Sequence, residues 1–206
     1  MSFEDIKMIL QIINTIAIVI ASIVAICGIS AWRKEFQGKR KIELAEEVLA
    51  LFYEARYAIT AIRSPLGWQG EGSTREPQED ETPLQKRARD RAFVKFERYE
   101  KRQEVFNKLY SKRYQFMARF GYEKTKPFDE LRNIIIDIQC AANYLAEIWC
   151  KVPYDSEDKK RLQKERQGQE KIFWFYGRND PIVPRLETII SDIESICRPI
   201  ILGRKK

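Results

Sequence analysis

The sequence predicts an all-α protein: one N-terminal transmembrane helix, then a cytosolic antiparallel bundle of about four helices. Three observations carry that expectation. Residues 8–32 hold no charged side chain and are mostly Ile, Val, Ala and Leu. Four later segments space their apolar residues three or four apart, which is the helical period. No segment alternates with period two between hairpin turns.

Residues 1–7 form an N-terminal tail with Glu4, Asp5 and Lys7. The 25 uncharged positions that follow would reach about 37 Å as a helix, against a hydrocarbon core of about 30 Å. A buried core helix rarely stays charge-free for so long. A cleaved signal peptide would want a basic start and a shorter apolar run. Arg33, Lys34, Lys39, Arg40 and Lys41 follow directly, with Glu35 as the only acid up to residue 41, a net of +4. Positive flanks stay on the cytoplasmic side, so the expected topology is N-terminus outside and C-terminal domain in the cytosol, at the cell membrane. Trp32 stands where an interfacial aromatic anchor would stand. Asn14, Ala17, Ala21, Ala25 and Gly28 share one helix face, with Gln11 at its outer end. Small residues and amides on one face suit association with a second span, although Ala and Gly are also ordinary constituents of spans.

Residues 33–63 contain the basic segment and the first cytosolic helix, whose inward positions are Ile42, Ala45, Val48, Leu49, Phe52, Ala55, Ile59 and Ile62. Gly38 is either a hinge or a glycine that the helix runs through. Ser64-Pro65 ends that helix, because proline disfavours helix in the residue before it. Residues 64–83 are Gly-, Pro- and acid-rich, with five acids against Arg75, a net of −4, and read as a flexible loop. Thr82-Pro83 opens a long helix over residues 84–120, ended by Gly121. A third helix over residues 127–150 turns Leu131, Ile134, Ile135, Ile138, Ala141, Ala142, Leu145 and Trp149 inward. Residues 155–170 are polar and read as a solvated helix or surface loop; the cluster Ile172 to Tyr176 reads as a core plug or a partner-binding patch. Asn179-Asp180-Pro181 starts the last helix, expected to end at Arg198-Pro199 before a basic tail of Arg204, Lys205 and Lys206.

The composition excludes much chemistry. With 37 Lys and Arg, 30 Asp and Glu and no His, the chain has no imidazole base, no His-ligated zinc and no Ser-His or Cys-His pair. The four cysteines form no C-x-x-C and read as reduced, small apolar residues. Gly67, Gly70 and Gly72 lack the preceding strand and the lysine of a phosphate cradle. Glu43, Glu46 and Glu47 read as a solvated face beside Lys39, Arg40 and Lys41 rather than a cation site. Asp129, Asp137, Glu147, Asp180 and Asp192 are the carboxylates that could serve a two-acid hydrolase, but no spacing pairs them. No catalytic residue, cofactor or metal is expected.

Charge distribution is the remaining functional clue. Residues 84–126 hold fourteen basic and five acidic residues, a net of +9. On a continuous helix Arg87, Arg91, Arg98, Arg102 and Lys112 would form one basic side, either a solvated face paired with acidic neighbours or a surface for an anion. The resulting expectation is a single-pass, non-enzymatic binding or scaffold module at the inner face of the membrane. Its expected partners are the membrane itself, anionic lipid headgroups through Arg33, Lys34, Lys39, Arg40 and Lys41, and a protein partner or second copy. A membrane-tethered nucleic-acid binder is the first alternative, since Tyr99, Tyr110, Tyr114 and Phe116 interleave with the basic residues. A carboxylate-based enzyme is the second.

Overall fold

The computed structural model describes the backbone of residues 3–203 and the side chains of residues 7, 8 and 13–203. Among the described residues there are six helices and no strand. The helices are α1 (Phe3–Ile62), α2 (Pro83–Glu100), α3 (Gln103–Phe120), α4 (Lys126–Ile148), α5 (Ser156–Phe173) and α6 (Val183–Ile201). The chain divides into two compact units, Met1–Leu44 and Ala45–Lys206. Arg204, Lys205 and Lys206, the basic tail, and the side chain of Gln11 lie outside the described residues.

In the first unit the helix is already under way at Phe3, inside the stretch expected as a tail, and Gly38 is helical rather than a hinge. Nothing lies within 4 Å of the Cβ that Gly38 lacks. This is the one helix long and apolar enough to cross a membrane among the described residues: an 18-residue window has mean hydropathy 2.3 and no buried residue.

In the second unit α4 is the central post and packs against α2, α3, α5 and α6. Its hydrophobic stripe is the one expected: Leu131, Ile134, Ile135, Ile138, Ala141, Ala142 and Leu145 are buried, and Trp149 just beyond it is half-buried. The end of α1 contributes Ala45, Val48, Phe52, Ala55, Ile59 and Ile62 to the core. Phe52 meets Phe128 edge-on at 4.9 Å, and Phe116 of α3 closes on the same ring at 5.4 Å. Tyr53 donates to Glu194 and Arg63 pairs with Asp180, so α1 and the α6 region run antiparallel.

The structure corrects two sequence expectations about helices and decides a third. The single rod over residues 84–120 is two helices. Arg102 leaves helical geometry (φ −123°, ψ 7°), and its N–H bonds Tyr99 O at 2.9 Å instead of continuing the ladder. Neither Gly nor Pro stands there; the two halves bury different side chains, Lys95 and Arg98 on α2 against Phe106, Leu109 and Phe116 on α3. The last helix does not end at Arg198-Pro199 but runs to Ile201. Proline lacks only the N–H that would bond Ser195 O, a small loss in a final turn that Leu202 N closes on Arg198 O at 2.9 Å. The polar stretch at residues 155–170 is helix, opened by Asp155, whose carboxylate accepts from the N–H of Glu157 and Asp158.

Thr82 and Gln85 form a reciprocal capping box at the start of α2. Gly121 ends α3 at φ +94°. Ile172 to Tyr176 splits: Phe173 is buried and Trp174 half-buried, while Phe175 and Tyr176 are exposed. All four cysteines are free thiols.

Candidate functional site

The first unit presents two features. Ile13, Ile16, Ile18, Val19, Ile20, Ile23, Val24, Ile26 and Ile29 are each between 52% and 67% exposed. Asn14, Ala17, Ala21, Ala25 and Gly28, the expected association face, are exposed on the same helix. The Cβ that Gly28 lacks would meet nothing within 4 Å. Ser22 and Ser30 turn their hydroxyls back onto Ile18 O and Cys27 O, so they consume their own polarity within the helix. Just beyond, Arg33, Lys34, Lys39, Arg40 and Lys41 are all exposed. Trp32 stacks on Phe36 with ring centroids 5.5 Å apart, and the Arg40 guanidinium lies 4.7 Å from the Phe36 centroid.

The second unit is built around a feature that the sequence reading missed. Three cations are buried at the C-terminal end of α1: Arg63 (1% exposed), Lys95 (0%) and Arg98 (4%). A helix C-terminus leaves carbonyls without intrahelical partners and carries partial negative charge. Here backbone N–H groups take Ile59 O and Ala61 O, and the basic side chains and Phe175 take the carbonyls at and just past the helix end. Lys95 Nζ donates to Ile62 O at 3.0 Å, Phe175 N to Arg63 O at 2.8 Å, and Arg98 to Ser64 O at 2.7 Å and Leu66 O at 2.6 Å. Arg63 forks onto Asp180 through two 2.8 Å bonds and also donates to the carbonyls of Lys171, Ile172 and Trp174. Lys95 Nζ lies 3.6 Å from the Trp174 ring centroid and 4.4 Å from that of Phe173.

The ionisation of this cluster follows from its surroundings. Burial, then the neighbouring Arg98 and Arg63 charges, push Lys95 down to about 6. The rings and the Ile62 carbonyl favour the charged form and act the other way. Burial works to raise the Asp180 carboxyl, but Arg63 and the N–H groups of Tyr176 and Ile182 outweigh it and hold it below its usual range.

Arg98 also fastens the loop over residues 64–83. Two of its five acids, Glu71 and Glu81, are attachment points. Arg98 bonds Glu71 at 2.5 Å and keeps that carboxyl low. Glu97 accepts from Gly72 N at 2.8 Å and from Thr74. Arg75, the loop's one basic residue, is held at 2.5 Å by Glu81 and at 3.1 Å by Asp90. Arg75, then Arg89, bring Glu81 down to about 2. Gly72 sits at φ +85°, and a Cβ there would stand 2.0 Å from Asp90 O, so only glycine permits this approach to α2.

The expected basic side of one long helix is therefore dispersed. Arg98 is buried, and Arg102, half-buried, donates to Arg98 O at 3.2 Å. Lys112 pairs with Glu47 at 2.8 Å, and Arg91 lies 4.4 Å over the Trp149 ring. Arg87 is exposed. Of the carboxylates considered for acid chemistry, Asp129, Asp137, Glu147 and Asp180 each pair with an arginine rather than with one another. Asp192 is exposed. Every carboxyl whose pKa moves is moved down, opposite to what a general acid at neutral pH requires.

Among the described residues no three Cys, Asp or Glu side chains converge as a metal site. A cleft between the end of α4 and α5 is lined by Trp149, Lys151, Lys159, Leu162, Arg166 and Glu170. Its central polar groups already satisfy one another, since Arg166 and Trp149 both donate to Glu170. No family model, curated protein or solved structure matches the chain.

Proposed function

We propose that this chain is a single-pass membrane protein, N-terminus outside, whose helical unit works in the cytosol as a non-enzymatic binding or scaffold module at the inner face of the membrane. The observation that carries the reading is the charge-free stretch of α1, exposed at every described side chain. Nine large aliphatic side chains there, at roughly 1.5–3 kcal/mol each for leaving water, represent on the order of 10 kcal/mol or more. That rivals the whole stability of a typical domain. A bilayer removes the penalty without any protein partner. The positive flank at residues 33–41 supports the cytosolic placement of the C-terminal unit.

Binding rather than catalysis fits the second unit. Its buried charges are mutually satisfied and hold the backbone together, and the paired carboxylates present no acid-base couple. A docked protein or second copy remains the proposed partner, with anionic lipid at the basic flank. Nucleic acid draws less support, because Arg98, Lys112 and Arg91 are engaged within the fold.

The test is a fusion of a reporter active only in the cytoplasm to Lys206, read together with extraction of membranes at alkaline pH. The expected result is an active reporter that stays with the membrane pellet. Release by alkali would remove the span, and a silent reporter on an inserted fusion would reverse the topology.

A further inference from the structure

The basic flank is more ordered than a row of charges. At 100° per residue Lys39, Trp32, Phe36, Arg40 and Arg33 fall within an arc of about 120°, whereas Lys34 and Lys41 lie on the far side. Along that arc Trp32, Phe36 and Arg40 form an i, i+4, i+8 column: the first two rings stack at 5.5 Å with 17° between planes, and the guanidinium covers the second ring at 4.7 Å. None of the five cations forms an ion pair with a described carboxylate.

The column also has the right depth. Helical side chains lean toward the N-terminus, so Arg40 reaches back toward Phe36. Phe36 lies four residues, about 6 Å of rise, beyond Trp32. The headgroup layer is about 5–7 Å thick on each side of the hydrocarbon. With Trp32 at the hydrocarbon edge, the Arg40 guanidinium stands at the level of the lipid phosphates. Its stack on Phe36 restrains a side chain that otherwise loses rotamer freedom on binding, and leaves its in-plane N–H donors for a phosphate fork.

We propose that Trp32, Phe36 and Arg40, flanked by Arg33 and Lys39, form a binding site for the phosphate of an anionic lipid headgroup. The proposal rests on the reading of residues 8–32 as a span. It differs from diffuse attraction of a polybasic segment in one respect: a neutral residue, Phe36, carries part of the preference.

The full chain is reconstituted in phosphatidylcholine vesicles containing traces of spin-labelled phosphatidylglycerol or spin-labelled phosphatidylcholine. The fraction of motionally restricted label gives the selectivity for the anionic lipid. The expected result is a clear preference for phosphatidylglycerol that Phe36→Leu lowers about two- to fivefold, the weight of an exposed cation–π contact. Arg40→Gln lowers it at least as far, and Arg40→Lys also lowers it, since an ammonium lacks the planar fork. Lys34→Gln and Lys41→Gln lower it less than Arg40→Gln. Equal losses from every cation with no effect of Phe36→Leu would overturn the site and leave diffuse attraction. Full displacement of the labelled lipid by inorganic phosphate at matched ionic strength would make it a site for free phosphate instead. Absence of any restricted label, for either lipid, would show that the helix is not in the bilayer, and the span would fall with the site.

Discussion

Replacing Lys95 by methionine should flatten the pH dependence of stability. The amine is fully buried, and its pKa is pushed from 10.5 down to about 6. Between those values the unfolded chain binds a proton that the folded chain does not, so the wild type gains stability as pH rises through this window. Each pH unit contributes about 1.4 kcal/mol. From about pH 7 to about pH 9 the gain from this one group is about 2.5 kcal/mol. Methionine has a similar reach, carries no charge and leaves Arg98 Nη1 on Ile62 O at 3.4 Å. The variant should therefore lack that increment, while all other titrations cancel in the comparison. Urea unfolding of the full chain in neutral detergent, followed by tryptophan fluorescence, is the assay; Trp174 touches the amine and reports on the site. Parallel pH profiles for the two proteins would refute the reasoning. They would mean that the ring contacts and the Ile62 carbonyl hold Lys95 charged in the fold.

Other perturbations follow from the same geometry. Asp180→Ala strands the buried Arg63 charge and should cost about 3–5 kcal/mol in the same unfolding measurement; a loss under 1 kcal/mol would mean that the Lys171, Ile172 and Trp174 carbonyls suffice for the guanidinium. Gly72→Ala puts a Cβ where Asp90 O stands, so it should release the loop over residues 64–83, seen as faster amide exchange there and faster trypsin cleavage after Arg75, with α4 amides unchanged. Thiol labelling of the native protein should be rapid at exposed Cys140 and absent at Cys197, whose thiol burial pushes up to about 12; labelling of Cys197 at the rate of Cys140 would contradict the packing of α6.

Local signals in the sequence were read correctly where both partners lie close together. Thr82-Pro83 opens α2, the α4 stripe repeats every three or four residues, and the charge-free run is helical without needing a partner. What escaped depends on distant pairs. Arg63 finds Asp180, Lys95 finds Ile62, and Arg98 finds Glu71. Lys95 did leave a trace: it lies three residues after Ala92 and four before Tyr99, squarely on the apolar arc where a lysine is out of place. The bend at Lys101–Arg102 left none, because no helix breaker stands there and tertiary packing decides it. Composition misread the loop for a related reason. Its acids look like solvating charge until the arginines of α2 are placed opposite them. The column at Trp32, Phe36 and Arg40 was legible only as charge; the stacking of its rings needed coordinates.

The convergence of distant residues on the end of α1 has a temporal meaning. A chain emerges N-terminus first, and its parts settle as they appear. Arg63 is made early, but the carboxylate that neutralises it arrives 117 residues later. Until Asp180 is synthesised, Arg63 cannot be drawn under cover, because no other described carboxylate opposes its buried charge, whereas Arg98 already has Glu71. The helix can form well before its C-terminal end is closed. Completion of the bundle is thereby tied to near-completion of translation, because a chain cut short before Asp180 leaves Arg63 without its carboxylate.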